Sequence, residues 1–508
     1  MSRPQRGALA RALDLLERAG NRLPDPVSLF ALLALLVVVL SWLCAHFDVS
    51  AIHPKDGSTV SVVNLVTRDG VRRMFTDAVK NFMGFAPLGV VLVAMLGVGV
   101  AEGTGLIAAA LRGFVMRMPR TLLTASIVLA GMLAHVGADA GIVILPPLAA
   151  LLFAASGRHP LAGLAAAFAG VAGGFSANVI PGPLDAVLAS LSQEALTASK
   201  LLPAYRVELL GNYFFLAAST PLLVIMATWV THSIVEPRLG PWRGTSEVAG
   251  PLTENERRGL RAAGWVTLAM LGVLGLLTLT PNAPLRLDTG TSIERFKPLL
   301  ESIVVVIALL FLAPGVAYGL ATGRIKGDAD VAKLMSESIA GMASYIVIAF
   351  MAAQFISYFA WSNLGAVLAI RGAEQLKVLG LEGAGLIVCF IAFTATVNLL
   401  ISSASAKWAI MAPVFVPMLV LLGFTPEATQ AIYRVGDSST NIITPLLPYM
   451  PFILATARRY DAKAGTGTMV ALMLPYSATF LVMWTLLLLA FYLGKVPIGP
   501  GVPFHLPG

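Results

Sequence analysis

The chain has 508 residues, of which 57% are hydrophobic and 12% charged. A soluble domain carries about 25% charged residues, so the composition excludes an ordinary soluble enzyme. The net charge of +8 does not imply nucleic acid, because the basic residues lie in short segments between apolar runs, where the positive-inside rule collects them.

Residues 1–26 carry Arg3, Arg6, Arg11, Arg18 and Arg22 with Asp14 and Glu17. They read as a cytoplasmic amphipathic N-terminus without a signal-peptide cleavage site. Apolar runs of roughly 18 residues or more can cross a bilayer. They predict spans near 27–47, 84–112, 161–188, 209–235, 263–281, 297–322, 343–369, 427–456 and 468–493. Two further apolar stretches, 121–156 and 384–424, are interrupted by the polar knots HVGADAG from His135 and NLLISSASAKW from Asn398. They are expected to form re-entrant helical hairpins, because irregular backbone at membrane depth needs protein or an aqueous cavity to satisfy it. The expected fold is therefore an all-α polytopic membrane protein of about nine transmembrane helices plus two re-entrant hairpins. The alternating ten-residue segments of an outer-membrane barrel are absent. Cys44 and Cys389 each lie in an apolar run and support neither a disulfide nor a metal site.

The chain also repeats itself. GADAGIVILPP (137–147), Pro160 and GGFSANVI (173–180) lie over SSASAKWAIMAP (402–413), Pro426 and GDSSTNII (436–443), at offsets of 266 and then 263 positions. The expected division is a first span with an external segment (27–83), a first repeat (84–208), scaffold spans serving dimerisation (209–342), a second repeat (343–467), and a last span with an external C-terminus (468–508). Counted through nine spans, the two repeats run in opposite directions. Broken, polar, inverted repeats mark the substrate site of a secondary transporter.

A charge at the bilayer centre costs about 2.5–3.5 kcal/mol on the insertion scale. Five such residues fall in the repeat cores: Asp139, Asp185, Lys407, Arg434 and Asp437. Intramembrane ionisable groups usually pair and usually mark a pathway. Arg434 and Asp437 are three apart and share a helix face. They could neutralise each other locally, or Arg434 could poise Asp437 for proton exchange or hold an anionic group of a substrate. The knots at Ser176 and Asn178, and at Ser439 and Asn441, can break a helix and expose backbone N–H groups to an anion and carbonyls to a cation. Their oxygens would also suit sodium near Asn178 and Asn441; the plainer alternative is close helix packing by small residues. Trp408 could wall an aromatic substrate or simply pack. His135 reads as a satisfied interior histidine.

SSASAKWAIMAPVFVPM (402–418) and YRVGDSSTNIITPLLPY (433–449) resemble the two hallmark segments of the p-aminobenzoyl-glutamate transporter (AbgT) family. GNRLPDPVSLF (20–30), GGFSAN (173–178) and Asp185 are similar to its other segments, so the resemblance runs from about Gly20 to Leu493. It implies a homodimer of nine-span protomers in the inner membrane, working as an ion-coupled elevator. It implies transport of p-aminobenzoyl-glutamate, or export of p-aminobenzoate and sulfonamide antimetabolites, driven by the proton gradient with no other cofactor. By the same resemblance, Asp185 and Asp437 would couple protons and Asn398, Ser405, Trp408 and Arg434 would bind substrate. Pro426 and Pro445 would serve as hinges beside the Ser-x-Asn knots. The alternatives are a sodium-coupled importer of a folate fragment or dicarboxylate and, from another class, an intramembrane hydrolase. The hydrolase lacks its motifs: Arg434 stands where a Gly-x-Gly-Asp protease needs glycine, and Ser176 is followed by Ala177.

Overall fold

The computed structural model describes residues 26–52, 57–117, 119–137, 140–242, 244, 252–289, 294–444 and 447–506. The amphipathic N-terminus up to residue 25, Asp139 and Pro445 lie outside the described residues.

The first span, Pro26–His46, is apolar on all sides. Its 21 residues reach about 30 Å at 1.5 Å per residue, the thickness of a bilayer core. Leu32, Leu35, Leu36 and Val39 lie exposed, as side chains facing lipid must. A two-stranded antiparallel hairpin follows, Ser50–Ile52 with Thr59–Ser61, pairing Ala51 with Val60. Among the described residues it is the only sheet. Everything else regular is helical.

Seven of the described helices are long and apolar enough to cross a membrane, or eight if one bent pair counts as a span. The bent pair is the expected span 84–112. Pro87–Gly103 and Leu106–Met116 meet at 62°, and Gly105 between them adopts φ +87, a left-handed conformation that favours glycine.

Three other expected spans prove to be broken. The stretch 161–188 is a helix from Pro160 that widens into a π turn at Ala169–Gly173, leaves helical form, and restarts at Pro183–Ser199. The stretch 427–456 is Pro426–Asn441 followed by Met450–Arg458. Both breaks fall at the Ser-x-Asn knots, where serine and asparagine compete with the helix for backbone hydrogen bonds. The stretch 343–369 divides into Ala343–Trp361 and Leu364–Val378 around Asn363, at φ +57. The span expected at 263–281 starts at Glu254, where Thr253 and Glu256 form a capping box. Its first turns are polar, so hydropathy alone missed them.

Both expected hairpins are helix pairs turning at their polar knots: Leu123–Leu133 with Ala140–Ala155, and Gly383–Asn398 with Ala404–Leu421. The same order thus occurs twice: a broken or bent helix pair, a hairpin, then a helix interrupted at a Ser-x-Asn knot. The centre of the molecule is Pro426–Asn441, buried at every residue although it carries Glu427, Gln430, Arg434, Asp437 and Asn441. A polar helix can be buried only where its groups find partners, and those partners build the site.

Candidate functional site

Two ion pairs lie in the buried centre. Arg434 Nη1 donates to Asp185 Oδ1 at 2.7 Å. Asp185 is the third residue of Pro183–Ser199, and its Oδ2 accepts from the Gly182 N–H at 2.7 Å and from Asn178 Nδ2 at 3.5 Å. The carboxylate therefore sits on the N-terminus of its helix, where the dipole favours negative charge. Asn178 also donates to His135 Nε2 at 3.0 Å, while His135 Nδ1 donates to the Met132 carbonyl. Both ring nitrogens of the histidine are satisfied, one by Met132 of its own hairpin and one by Asn178 beyond it.

The second pair is Lys407 with Asp437, 2.5 Å apart, with side chains 0% and 1% exposed. Lys407 Nζ also donates to Asn398 Oδ1 and to the Ile401 carbonyl. Asn398 Nδ2 in turn faces the Asp437 carbonyl, Thr440 Oγ1 and Asn441 Oδ1 at 2.7–2.9 Å. Tyr433 closes the set, donating to the Ala404 carbonyl at 2.6 Å and lying 3.3 Å from Asp437 Oδ1. Asn441 Nδ2 reaches the Ala172 carbonyl of the first repeat at 3.3 Å.

The local pairing of Arg434 with Asp437, open in the sequence, is therefore not formed. Each takes a partner from another element, Arg434 from the helix after the first knot and Asp437 from the second hairpin. Three residues of spacing put both on one helix face but cannot say what packs against it.

Trp408 is 0% exposed. Its indole N–H donates to Ser192 Oγ at 3.0 Å and approaches the Leu188 carbonyl at 3.3 Å. Its ring lies 4.5 Å from that of Tyr433. Here it packs the second hairpin against Pro183–Ser199 and does not wall either neighbouring cavity. Ser405 does face the open space. The tip Ser402–Ser405 separates a cavity of about 320 Å³, bounded by Phe175, Asn441 and Tyr449, from one of about 220 Å³, bounded by Phe30, Phe85 and Tyr345. The larger is at the lower end of ligand-pocket volumes, about 300–1,000 Å³. A roomier groove, about 430 Å³, lies between Glu254–Leu279 and Ile303–Thr322, but it is walled by residues such as Val266, Met270 and Val305 and is remote from the ion pairs.

Of the remaining candidates, Pro426 opens the central helix behind its cap Thr425. Ser439 Oγ bonds back to the Val435 carbonyl at 2.6 Å, and Ser176 Oγ is buried without a partner. Around Asn441, Oδ1 accepts from Asn398 and Lys407 holds Asn398 Oδ1 and Asp437 Oδ1, while Ser438 Oγ is buried without a partner. Near Asn178 the neighbouring cation is the Arg434 guanidinium, through their shared partner Asp185.

The sequence profile of the AbgT transporter family matches residues 11–506. The chain belongs to the AbgT family. The p-aminobenzoyl-glutamate transport protein of Escherichia coli (strain K12) is 40% identical over 487 residues, covering 96% of this chain and 95% of that one. The crystal structure of the Alcanivorax borkumensis YdaH transporter superposes with a TM-score of 0.89 at 45% identity, covering 94% of this chain and all of that one. Neisseria gonorrhoeae MtrF, described within a class of antimetabolite efflux pumps, gives 0.90 at 43% identity, covering 97% and 100%. These relatives are transport proteins, and this AbgT-family chain is a multi-pass membrane transporter.

In this AbgT chain, sequence reasoning named Lys407 only as a buried charge and overlooked Tyr433 and Ser192. Tyr433 was legible in principle, because it lies one turn from Asp437 on the same helix face. Ser192 was not, since nothing in the sequence ties it to Trp408, 216 positions away.

Proposed function

We propose that this chain is a proton-coupled secondary transporter of p-aminobenzoyl-glutamate-like folate fragments that exports p-aminobenzoate and sulfonamide antimetabolites. It works as a homodimer in the inner membrane, N-terminus inside, by elevator-type alternating access. The observation that carries this reading is the placement of two buried carboxylates, each paired with a cation from another element, around a hairpin tip that opens onto two cavities.

A buried carboxylate can accept a proton only by giving up charge attraction to its partner. For Asp437 that partner is Lys407, on the hairpin arm that begins with the serine knot. Protonation loosens the tie between hairpin and central helix and so changes the walls of the substrate cavity. Coupling between ion and substrate is such a difference in binding free energy between two arrangements. The serine hydroxyls, the Asn441 side chain and the rings of Phe175 and Tyr449 suit a substrate that joins an aromatic ring to polar groups. Sodium would have to displace the Lys407 ammonium or sit beside the Arg434 guanidinium, which is why the proton is the assigned ion.

The test is flux in proteoliposomes with labelled p-aminobenzoyl-glutamate and labelled sulfamethazine, in both directions, under a pH gradient or a sodium gradient imposed separately. Movement driven by the pH gradient alone is expected. Movement that follows only sodium would overturn the assigned ion, and no movement of either compound would overturn the substrate class.

A further inference from the structure

A third cavity lies at the Asp185–Arg434 pair and shares no wall with the two at the hairpin tip. Asn178, Pro181, Asp185, Asn212, Tyr213 and Arg434 line it, and its volume is about 10 Å³, close to the space that one water needs. Three of these residues bring a buried polar atom without a partner in the protein: Asn178 Oδ1, Asn212 Oδ1 and Arg434 Nε. The residues themselves are 2%, 3% and 1% exposed.

Asn178 Nδ2 is held by His135 and Asp185, Asn212 Nδ2 donates to Gln430 Oε1, and Arg434 Nη1 donates to Asp185. The three unpartnered atoms are two acceptors and one donor, the complement of a single water, which donates twice and accepts. A cation there would meet the guanidinium, and an anion would meet two amide oxygens. Buried polar groups left unpaired are costly, and an internal water is the usual remedy.

We propose that this cavity holds one ordered water that joins Asn212 to the Asp185–Arg434 pair and is the point where Asp185 exchanges its proton with the aqueous phase. The inference rests on the proton-coupled reading above. The water turns one O–H from an amide oxygen to a carboxylate oxygen of Asp185 and passes that proton on as it takes up another from the aqueous side, so it stays neutral while Arg434 keeps its charge; release is the reverse step. Pro181 is one wall of the cavity, and its chain neighbours Val179 and Ile180 are 39% and 43% exposed, so the surface is one residue away. Tyr213 forms another wall, its hydroxyl donating to the Val179 carbonyl at 3.1 Å. Other titratable or charged groups near the pair are His135, Tyr433, Lys407 and Asp437, together with Glu427, which packs against Gly211 between the wall residues Leu210 and Asn212 and accepts from the Tyr205 hydroxyl and the Glu208 N–H; none of them lines this cavity.

Asn212→Leu removes one acceptor and fills the space, whereas Gln430→Leu breaks the same Asn212–Gln430 bond and leaves Asn212 Oδ1 at the cavity. In proteoliposomes under a pH gradient, Asn212→Leu is expected to slow p-aminobenzoyl-glutamate flux at least about tenfold, as loss of a proton-transfer route does. Substrate affinity should stay unchanged, and Gln430→Leu should stay near wild type. Asn212→Ser, which still offers an acceptor, should recover most of the flux. Equal losses in the two leucine variants would show a structural role and overturn the proposal, as would full flux in Asn212→Leu. A wild type without pH-driven flux would overturn the coupling reading and this inference together, a result distinguishable from failure of Asn212→Leu alone.

Discussion

Asp185 and Arg434 stand 249 positions apart in the chain and meet at 2.7 Å in the buried centre of the molecule. The contact joins the helix after the first knot to the central helix of the second repeat. Removing one partner of a buried pair costs about 3–5 kcal/mol, because it strands the other charge. Asp185→Leu and Arg434→Met should each lower the melting temperature of the purified protein clearly. The double variant should be more stable than the sum of the two losses predicts, by about 0.5–3 kcal/mol. Strictly additive losses would show that the two side chains do not depend on each other.

Trp408 is expected to act on stability before affinity. Trp408→Phe keeps the ring beside Tyr433 but removes the indole N–H that Ser192 Oγ accepts, leaving that hydroxyl its bond to the Leu188 carbonyl, a loss of about 0.5–1.5 kcal/mol for one hydrogen bond. Trp408→Ala should cost about 3–5 kcal/mol through the cavity it leaves. Melting temperature and p-aminobenzoyl-glutamate affinity measured on the same three proteins decide the point. A weakened affinity with unchanged melting would return Trp408 to the role of a substrate wall.

The central helix touches the first arm of the second hairpin at Gly436. A Cβ there would stand 2.5 Å from the Ile391 carbonyl oxygen and 2.8 Å from Thr394 Cβ. Backbone cannot yield as a flexible side chain does, so Gly436→Ala should destabilise by about 1–3 kcal/mol. It should also push Asp437 away from Asn398. Thermal unfolding and transport would both fall; an unchanged melting temperature would mean that the two helices are free to separate.

Outside the membrane-spanning segments, His159 caps the helix that starts at Pro160, its Nδ1 accepting from the Leu161 N–H at 3.3 Å. That bond needs the neutral ring. Burial pushes the His159 pKa below its ordinary value, opposed by Asp461. The unfolded chain therefore binds the proton first as pH falls, and the contribution of the neutral ring is complete above about pH 6.5 and lost below it. Hydrogen exchange at residues 161–164 should quicken on acidification through this range. His159→Asn, which caps without titrating, should remove that pH dependence. Identical pH profiles in the two proteins would show that another group is responsible.

The class of fold was legible because membrane spans are written in long apolar runs, and the two hairpins because a polar knot inside such a run has few other meanings. Where the helices broke was legible too, in the Ser-x-Asn repeats. Hydropathy makes 161–188 and 427–456 look continuous, because it sees composition and not the π turn at Ala169–Gly173 or the restart at Pro183. The charged residues announced themselves by their expense. Their partners did not, because Arg434 and Asp437 share a helix face whichever neighbour packs on it. Lys407 lies next to Trp408 in the chain, yet the two point to different elements: the amine to Asp437 and the indole to Ser192.

In the proposed cycle protons move with substrate through Asp185 and Asp437. Its most direct test is lumenal pH, read with a trapped dye, in proteoliposomes to which p-aminobenzoyl-glutamate is added with no gradient imposed. Wild-type protein should shift lumenal pH in step with substrate flux, and Asp185→Asn and Asp437→Asn, folded but unable to carry a proton at that position, should not. Substrate flux without a pH change in the wild type, or a full pH change in both variants, would contradict it.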